Sequence, residues 1–273
     1  MLELEWRGQR QVTTDQLKQL LGGSDNHARV LTHRLVRKGW LEPIKRGVFL
    51  VVPADRGPEG IPEMNPLVAG AQLAPEYFFS YGTACSYHHL TEQVFMTVFV
   101  ACRRPPTTRI VRGTEYVLVR VPDDRFFGFD PVDVLGAKVN MATFERTLLD
   151  AVDKPQYAGG IGEVSRIVRN AAPRVSWPTL LEHARRWHES ALVQRLGYLL
   201  DRHQADLDRT VRSELHGMVR PTNRIFLGAR SRWGTSGKLD IDWNIIENVP
   251  ANVLVDPAEA KRRTWALPKR ESP

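Results

Sequence analysis

The stretch from Val12 to Val52 constrains the fold more than any other, because its texture changes from one helix to another and then to paired strands within forty residues. Thr13 can accept from the backbone at Gln16 while Gln16 reaches back, and Val12 can staple against Leu17, which together open a helix. Leu17, Leu20 and Leu21 mark one face of it. Gly22 and Gly23 stop it with residues that tolerate positive φ, and Ser24 can cap a second helix. In that helix Ala28, Leu31 and Leu35, flanked by Val36, fall in a narrow arc that should face a core. The opposite arc holds Asn26, Arg29, Val30, His33 and Arg37, with Arg34 beside it. Residues 40–44 and 48–52 then read as two strands joined by Lys45-Arg46-Gly47, with Gly47 supplying the turn, two cations at the tip and Trp40 anchoring helix to hairpin.

A helix of this length can lie across a DNA major groove about 12 Å wide with side chains on base edges. Asn26, Arg29 and His33 are therefore the expected base-reading residues. Arg34, Arg37, Lys38, Lys45 and Arg46 are expected on phosphate, the last two as the tip of a wing. Residues 29–46 carry six cations against the single acid Glu42, a net +5 within a chain whose net charge is +7. Thirty of the 38 basic residues are Arg, whose planar fork suits phosphate and guanine edges. Charge of this kind points to a polyanionic partner, although an Arg excess can also follow from genome composition.

The rest of the chain reads as a second, larger domain. "PADRGPEGIPEMNP", residues 53 to 66, is rich in proline and low in apolar content, which marks a connection. The expected organisation is a winged helix-turn-helix over residues 1–53, a linker over 54–66, a mixed α/β domain over 67–255 and a charged, partly disordered tail over 256–273. The fold class is α+β. A helix should start at Pro66, and "YFFSYGTACSYHHL" reads as a strand end followed by a short helix. Strands are expected at 94–102, 115–122 and in "AKVNMA". Thr143 should cap "FERTLLDAVD", the first of four helices running to "LVQRLGYLLDRH". Strand signals return in "NRIFLG" and "LDIDWNII".

No catalytic constellation stands out. The sequence lacks Gly-x-Ser-x-Gly, a phosphate loop and His-Glu-x-x-His, and Ser80 and Cys85 have no visible base partner. His88 and His89 are adjacent and would diverge on a helix, so no metal is expected. Asp240 and Asp242 would share a strand face, yet no lysine follows an acid at the spacing a nuclease needs; surface or structural polar roles are expected. Glu145, Arg146, Asp150 and Asp153 are expected to pair between helices in the interior. Cys85 and Cys102 cannot form a disulfide framework, and no run of about 18 apolar residues offers a membrane span. The expectation is a cytoplasmic protein that is not an enzyme, with no cofactor and no membrane partner.

Four phrases together, "LVRKGWLEPIKRGVFLV", "YFFSYGTACSYHHLTEQVFMTVFVA", "ERTLLDAVDKPQYAGGIGEV" and "RLGYLLD", resemble the blocks of the AbiEi antitoxin family of abortive-infection toxin–antitoxin pairs. They run in family order from residue 35 to 201, and the third is the most specific. The resemblance implies a winged helix-turn-helix on the operon's own promoter and a C-terminal domain that neutralises toxicity. The partner it implies is a nucleotidyltransferase-like toxin, countered without a stable complex. Carried over residue by residue, the DNA surface falls on Arg29, His33, Arg34, Arg37, Lys45 and Arg46. Two other readings remain open: a protein-interaction module that neutralises a partner by direct contact, and a DNA-targeted nuclease. Two-fold operators often bind two copies, so a homodimer is possible, but no heptad marks a dimer helix.

Overall fold

The computed structural model describes residues 11–22, 24–52 and 65–254. The opening "LELEW" segment, Gly23, most of the expected linker and the expected tail lie outside the described residues.

The first elements are β1 (Gln11–Thr13), α1 (Thr14–Leu21), α2 (Asp25–Arg37), β2 (Leu41–Lys45) and β3 (Val48–Val51). Thr13 Oγ1 accepts from Gln16 N at 3.1 Å while Gln16 Oε1 accepts from Thr13 N at 2.8 Å, the reciprocal cap read from the sequence. Gly22 ends α1 in the left-handed region at φ 62°, and Ser24 Oγ caps α2 through His27 N. A three-stranded antiparallel sheet in the order β1-β3-β2 covers this pair of helices, with Val12 opposite Phe49. The core here is small: Val12, Leu17, Leu41 and Val51 are buried, and Leu35, Val36 and Phe49 pack against them.

Two compact units divide the chain. The first gathers the described residues up to Glu76 with Ile110–Thr114 and Asp133–Val139, so α3 (Pro66–Gly70), on the C-terminal side of the expected linker, groups with it. Asn65 caps α3 through Leu67 N, with Pro66 in its first turn.

The second unit contains β4 (Tyr77–Phe79), α4 (Tyr81–Tyr87) and β5 (Thr97–Cys102). β6 (Thr107–Val111), β7 (Thr114–Arg120), β8 (Phe129–Val134) and β9 (Ala137–Ala142) complete a six-stranded sheet in the order β6-β7-β5-β4-β9-β8. The links β6–β7 and β8–β9 are two-residue turns, Arg112-Gly113 and Leu135-Gly136, with positive φ at both positions, the geometry that matches strand twist in a hairpin. At the centre β4 pairs antiparallel with β5, whereas β5 with β7 and β4 with β9 are parallel. The expected strand at 94–102 starts only at Thr97, because Val94 and Met96 are among the most exposed apolar side chains. β6 and β8 were not expected. β6 is largely exposed, and β8 carries Pro131, which an edge strand tolerates because it leaves no inner ladder bond unmade.

Thr143 caps α5 (Phe144–Asp153) as expected, and α6 (Ile161–Ala171), α7 (Trp177–Trp187) and α8 (Ser190–Arg202) follow. α9 (Arg209–Gly217) is an additional helix, packed on α7 and α8. A small sheet, β10 (Ile225–Phe226), β12 (Ile245–Glu247) and β11 (Lys238–Asp240) in that order, with α10 (Arg230–Trp233) and α11 (Ala251–Leu254), completes the described chain. The main core joins α5 to α9 through Leu148, Leu149, Ile167, Leu180, Leu196, Leu199 and Trp243.

Candidate nucleic-acid interface

On α2 the 100° spacing of successive residues separates two faces. Ala28 is buried, and Leu31, Leu35 and Val36 are half-buried. Thr32 joins them at 6% exposure, which the apolar pattern could not reveal; its hydroxyl donates to Ala28 O at 2.7 Å, so no polar atom is left stranded. Asn26, Arg29, Val30, His33, Arg34 and Arg37 all lie on the exposed face, and Lys38 and Arg46 are exposed as well. The side chain of Lys45 is outside the described ones, although its backbone closes β2.

Among the described residues no carboxylate lies within ion-pair distance of Arg29, Arg34, Arg37, Lys38 or Arg46. Glu42, the only acid in this stretch, is held by Arg112, itself within the same unit. Its charge is thereby spent locally, and the field of the five cations is left undiluted. At the other end of α2, Asp25 pairs with Lys18 of α1; that contact lowers the Asp25 carboxyl and raises the Lys18 ammonium. Acid at the start of the helix and cations at its end both suit the helix dipole.

The hairpin is fixed to the helices by its backbone. Thr14 N donates to Gly47 O at 3.0 Å, tying the turn to the start of α1. Trp40 N donates to Leu35 O at 2.9 Å and Val52 N to Trp40 O at 3.0 Å, so the backbone of Trp40 joins the end of α2 to both strands, at the place where the sequence suggested an anchor. The result is a ridge of exposed cations along α2 and its C-cap Lys38, with Arg46 exposed on the turn of the hairpin that follows.

The remaining polar clusters have structural partners. Of the four residues expected to pair between helices, Arg146 and Asp150 pair within one: they sit one turn apart on α5, 0% and 1% exposed, with Nε to Oδ2 at 2.8 Å and Nη2 to Oδ1 at 3.0 Å. Arg146 also donates to the carbonyls of Arg125 and Phe127, and Ser80 Oγ donates to Asp150 at 2.5 Å. Glu145 instead accepts from Ser176 N. Asp240 and Asp242 do not share a strand face, because β11 ends at Asp240; Asp240 accepts from Trp243 N in the turn and Asp242 pairs with Arg212. His88 bonds to Ala142 O, and burial lowers its pKa. Burial pushes the Cys85 thiol well up, away from nucleophile chemistry. Among the described residues, no group of three or more His, Cys, Asp or Glu side chains could hold a metal ion, and no helix is long and apolar enough to cross a membrane.

The class defined by this arrangement is an N-terminal domain of helix-turn-helix type followed by a larger α/β domain. Residues 1–52 match the model of the AbiEi_4 family, described as "Transcriptional regulator, AbiEi antitoxin". The match falls on the segment that carries the exposed ridge. The fold is similar to that in the crystal structure of the RV2827C protein from Mycobacterium tuberculosis, with a TM-score of 0.65 at 17% identity over 92% of this chain and 91% of that one. Comparison with curated proteins gave no match.

Proposed function

We propose that this chain is a sequence-specific DNA-binding autorepressor and the antitoxin of an AbiE-type pair, countering a nucleotidyltransferase-like toxin in the cytoplasm. Residues 1–53 serve as a winged helix-turn-helix and residues 67–255 as the antitoxin domain. The observation that carries the DNA reading is the set of five exposed cations, Arg29, Arg34 and Arg37 on α2, Lys38 at its C-cap and Arg46 on the hairpin turn, without acidic partners among the described residues. The match of residues 1–52 to a transcriptional-regulator family supports it. Asn26, Arg29 and His33 read base edges in the major groove, and Arg34, Arg37, Lys38, Lys45 and Arg46 hold phosphate. No catalytic role is assigned to any residue, and the toxin is countered without a stable complex.

The test compares Arg29→Ala with Arg46→Ala on a promoter duplex and on a random one. A bidentate base contact makes Arg29→Ala lose about 1–3 kcal/mol on the promoter alone, whereas Arg46→Ala weakens both duplexes alike. With four to six phosphate contacts, log K should fall against log salt with a slope of roughly −4 to −5. A flat salt dependence would refute DNA binding. Equal losses on both duplexes would demote Arg29 to a phosphate contact.

A further inference from the structure

One side chain on the ridge does not fit a purely cationic surface. Val30 is 47% exposed, the only apolar side chain of α2 that is exposed; the others, Ala28, Leu31, Leu35 and Val36, are buried or half-buried. It lies one turn beyond Asn26 and one turn before Arg34, with His33 beside it, so the polar residues expected to enter a groove surround it. A β-branched residue here neither favours the helix nor fills the core. A surface meant only for phosphate would gain nothing from it.

We infer that Val30 reads the 5-methyl group of a thymine in the major groove; this rests on the DNA-binding reading above. The thymine methyl is the one apolar group that a base pair presents there, and aliphatic side chains meet it by direct contact. Asn26 is the residue type that pairs with adenine N6 and N7. Side chains one helical turn apart are separated by about 5–6 Å, which spans one to two base-pair steps of about 3.4 Å. Asn26 and Val30 therefore read an A·T pair and a thymine one or two base pairs away. Arg29, set off to one side of the arc, is left for an adjacent guanine. The specificity assigned is an A·T-containing step beside a G·C pair.

The experiment uses the full chain and duplexes that it enriches from a random-sequence library. Each thymine of an enriched duplex is replaced in turn by deoxyuridine, which removes the methyl group and nothing else. Burying one methyl-sized group is worth about 0.8 kcal/mol, so one or two positions should lose about four-fold in affinity. Val30→Ala should lose a similar factor on the thymine duplex and nothing further on the deoxyuridine one. Val30→Thr, which keeps one methyl and replaces the other by a hydroxyl, should lose no more than the alanine variant does. Deoxyuridine that is neutral at every position, while Arg29→Ala still weakens the enriched duplex, would overturn the assignment of Val30 and leave DNA binding standing. Failure to enrich any duplex would overturn the DNA reading itself. A Val30→Ala variant that changes its oligomeric state and keeps its thymine preference would place Val30 in a contact between copies, and would also overturn the assignment.

Discussion

Replacing Arg146 by alanine should be among the most destabilising single changes in the chain. The guanidinium is fully buried and faces the rings of Phe78, Phe127 and Trp187 at 5.0, 5.1 and 4.3 Å. Removing it strands the Asp150 carboxylate, 1% exposed, with the Ser80 hydroxyl as its remaining donor, and takes a donor from each of two backbone carbonyls. Breaking a buried pair from one side costs about 3–5 kcal/mol, mostly the penalty of the charge left behind. For a chain of this size each kcal/mol moves the melting temperature by about 2–4 °C, so a fall of roughly 6–20 °C is expected. The same reasoning makes a second variant informative. Arg146→Met with Asp150→Leu removes both charges and puts apolar groups among the three rings, and it should be more stable than either single change. Urea and thermal unfolding of the four proteins measure the cycle. A loss below about 1 kcal/mol for Arg146→Ala, or single losses that simply add in the double variant, would refute the argument that the pair holds the core as a unit.

Gly197 of α8 passes so close to Trp243 that an added Cβ would lie 2.2 Å from the indole, and Trp243 is pinned by its bond to Asp201 and by stacking on His216. Gly197→Ala should therefore cost about 1–3 kcal/mol in urea unfolding, and an unchanged midpoint would contradict this packing. Burial, with Glu189 and Asp150 nearby, pushes the Asp153 carboxyl up to about 6. The folded protein thus holds a proton that the unfolded chain releases near pH 4, and this contribution is complete below pH 4 and lost as pH rises through 6. Asp153→Asn mimics the neutral acid; it should match the parent at pH 4 and exceed it by about 1–3 kcal/mol at pH 8, whereas parallel stability curves would count against the shift. Thr13→Ala should lose about 1 kcal/mol with Thr13→Ser largely retaining stability, since only the hydroxyl caps Gln16 N. Equal melting of the two variants would mean that the cap does not matter.

The elements that could be read from the sequence are those whose cause is local. The caps at Thr13, Ser24 and Thr143 and the left-handed Gly22 each act within about four residues, and the outward arc of α2 follows from its period alone. Elements that depend on distant partners were not visible. Glu42 and Arg112 are seventy positions apart, as are Ser80 and Asp150, and neither pairing leaves a trace in the pattern near either residue. The edge strands β6 and β8 escape notice because an exposed strand need not alternate and an edge admits Pro131. Asp240 looked like a strand residue facing Asp242 because the turn at Trp243 is set by a fully buried indole, not by a glycine or proline. The phrase "ERTLLD" sets Arg146 and Asp150 four residues apart, the spacing at which they pair in the interior.

The six-stranded sheet has a consequence for how the chain comes to be folded. Its hairpins β6–β7 and β8–β9 can close by themselves, but the seams that join them to the centre are parallel, and the one between Phe79 and Met141 links positions 62 apart. Such seams return nothing until a long loop has already been drawn shut. During synthesis β4 must therefore wait, with one edge open, until β9 has left the ribosome. The slow step of folding, and the interval of greatest exposure to proteases and chaperones, falls there.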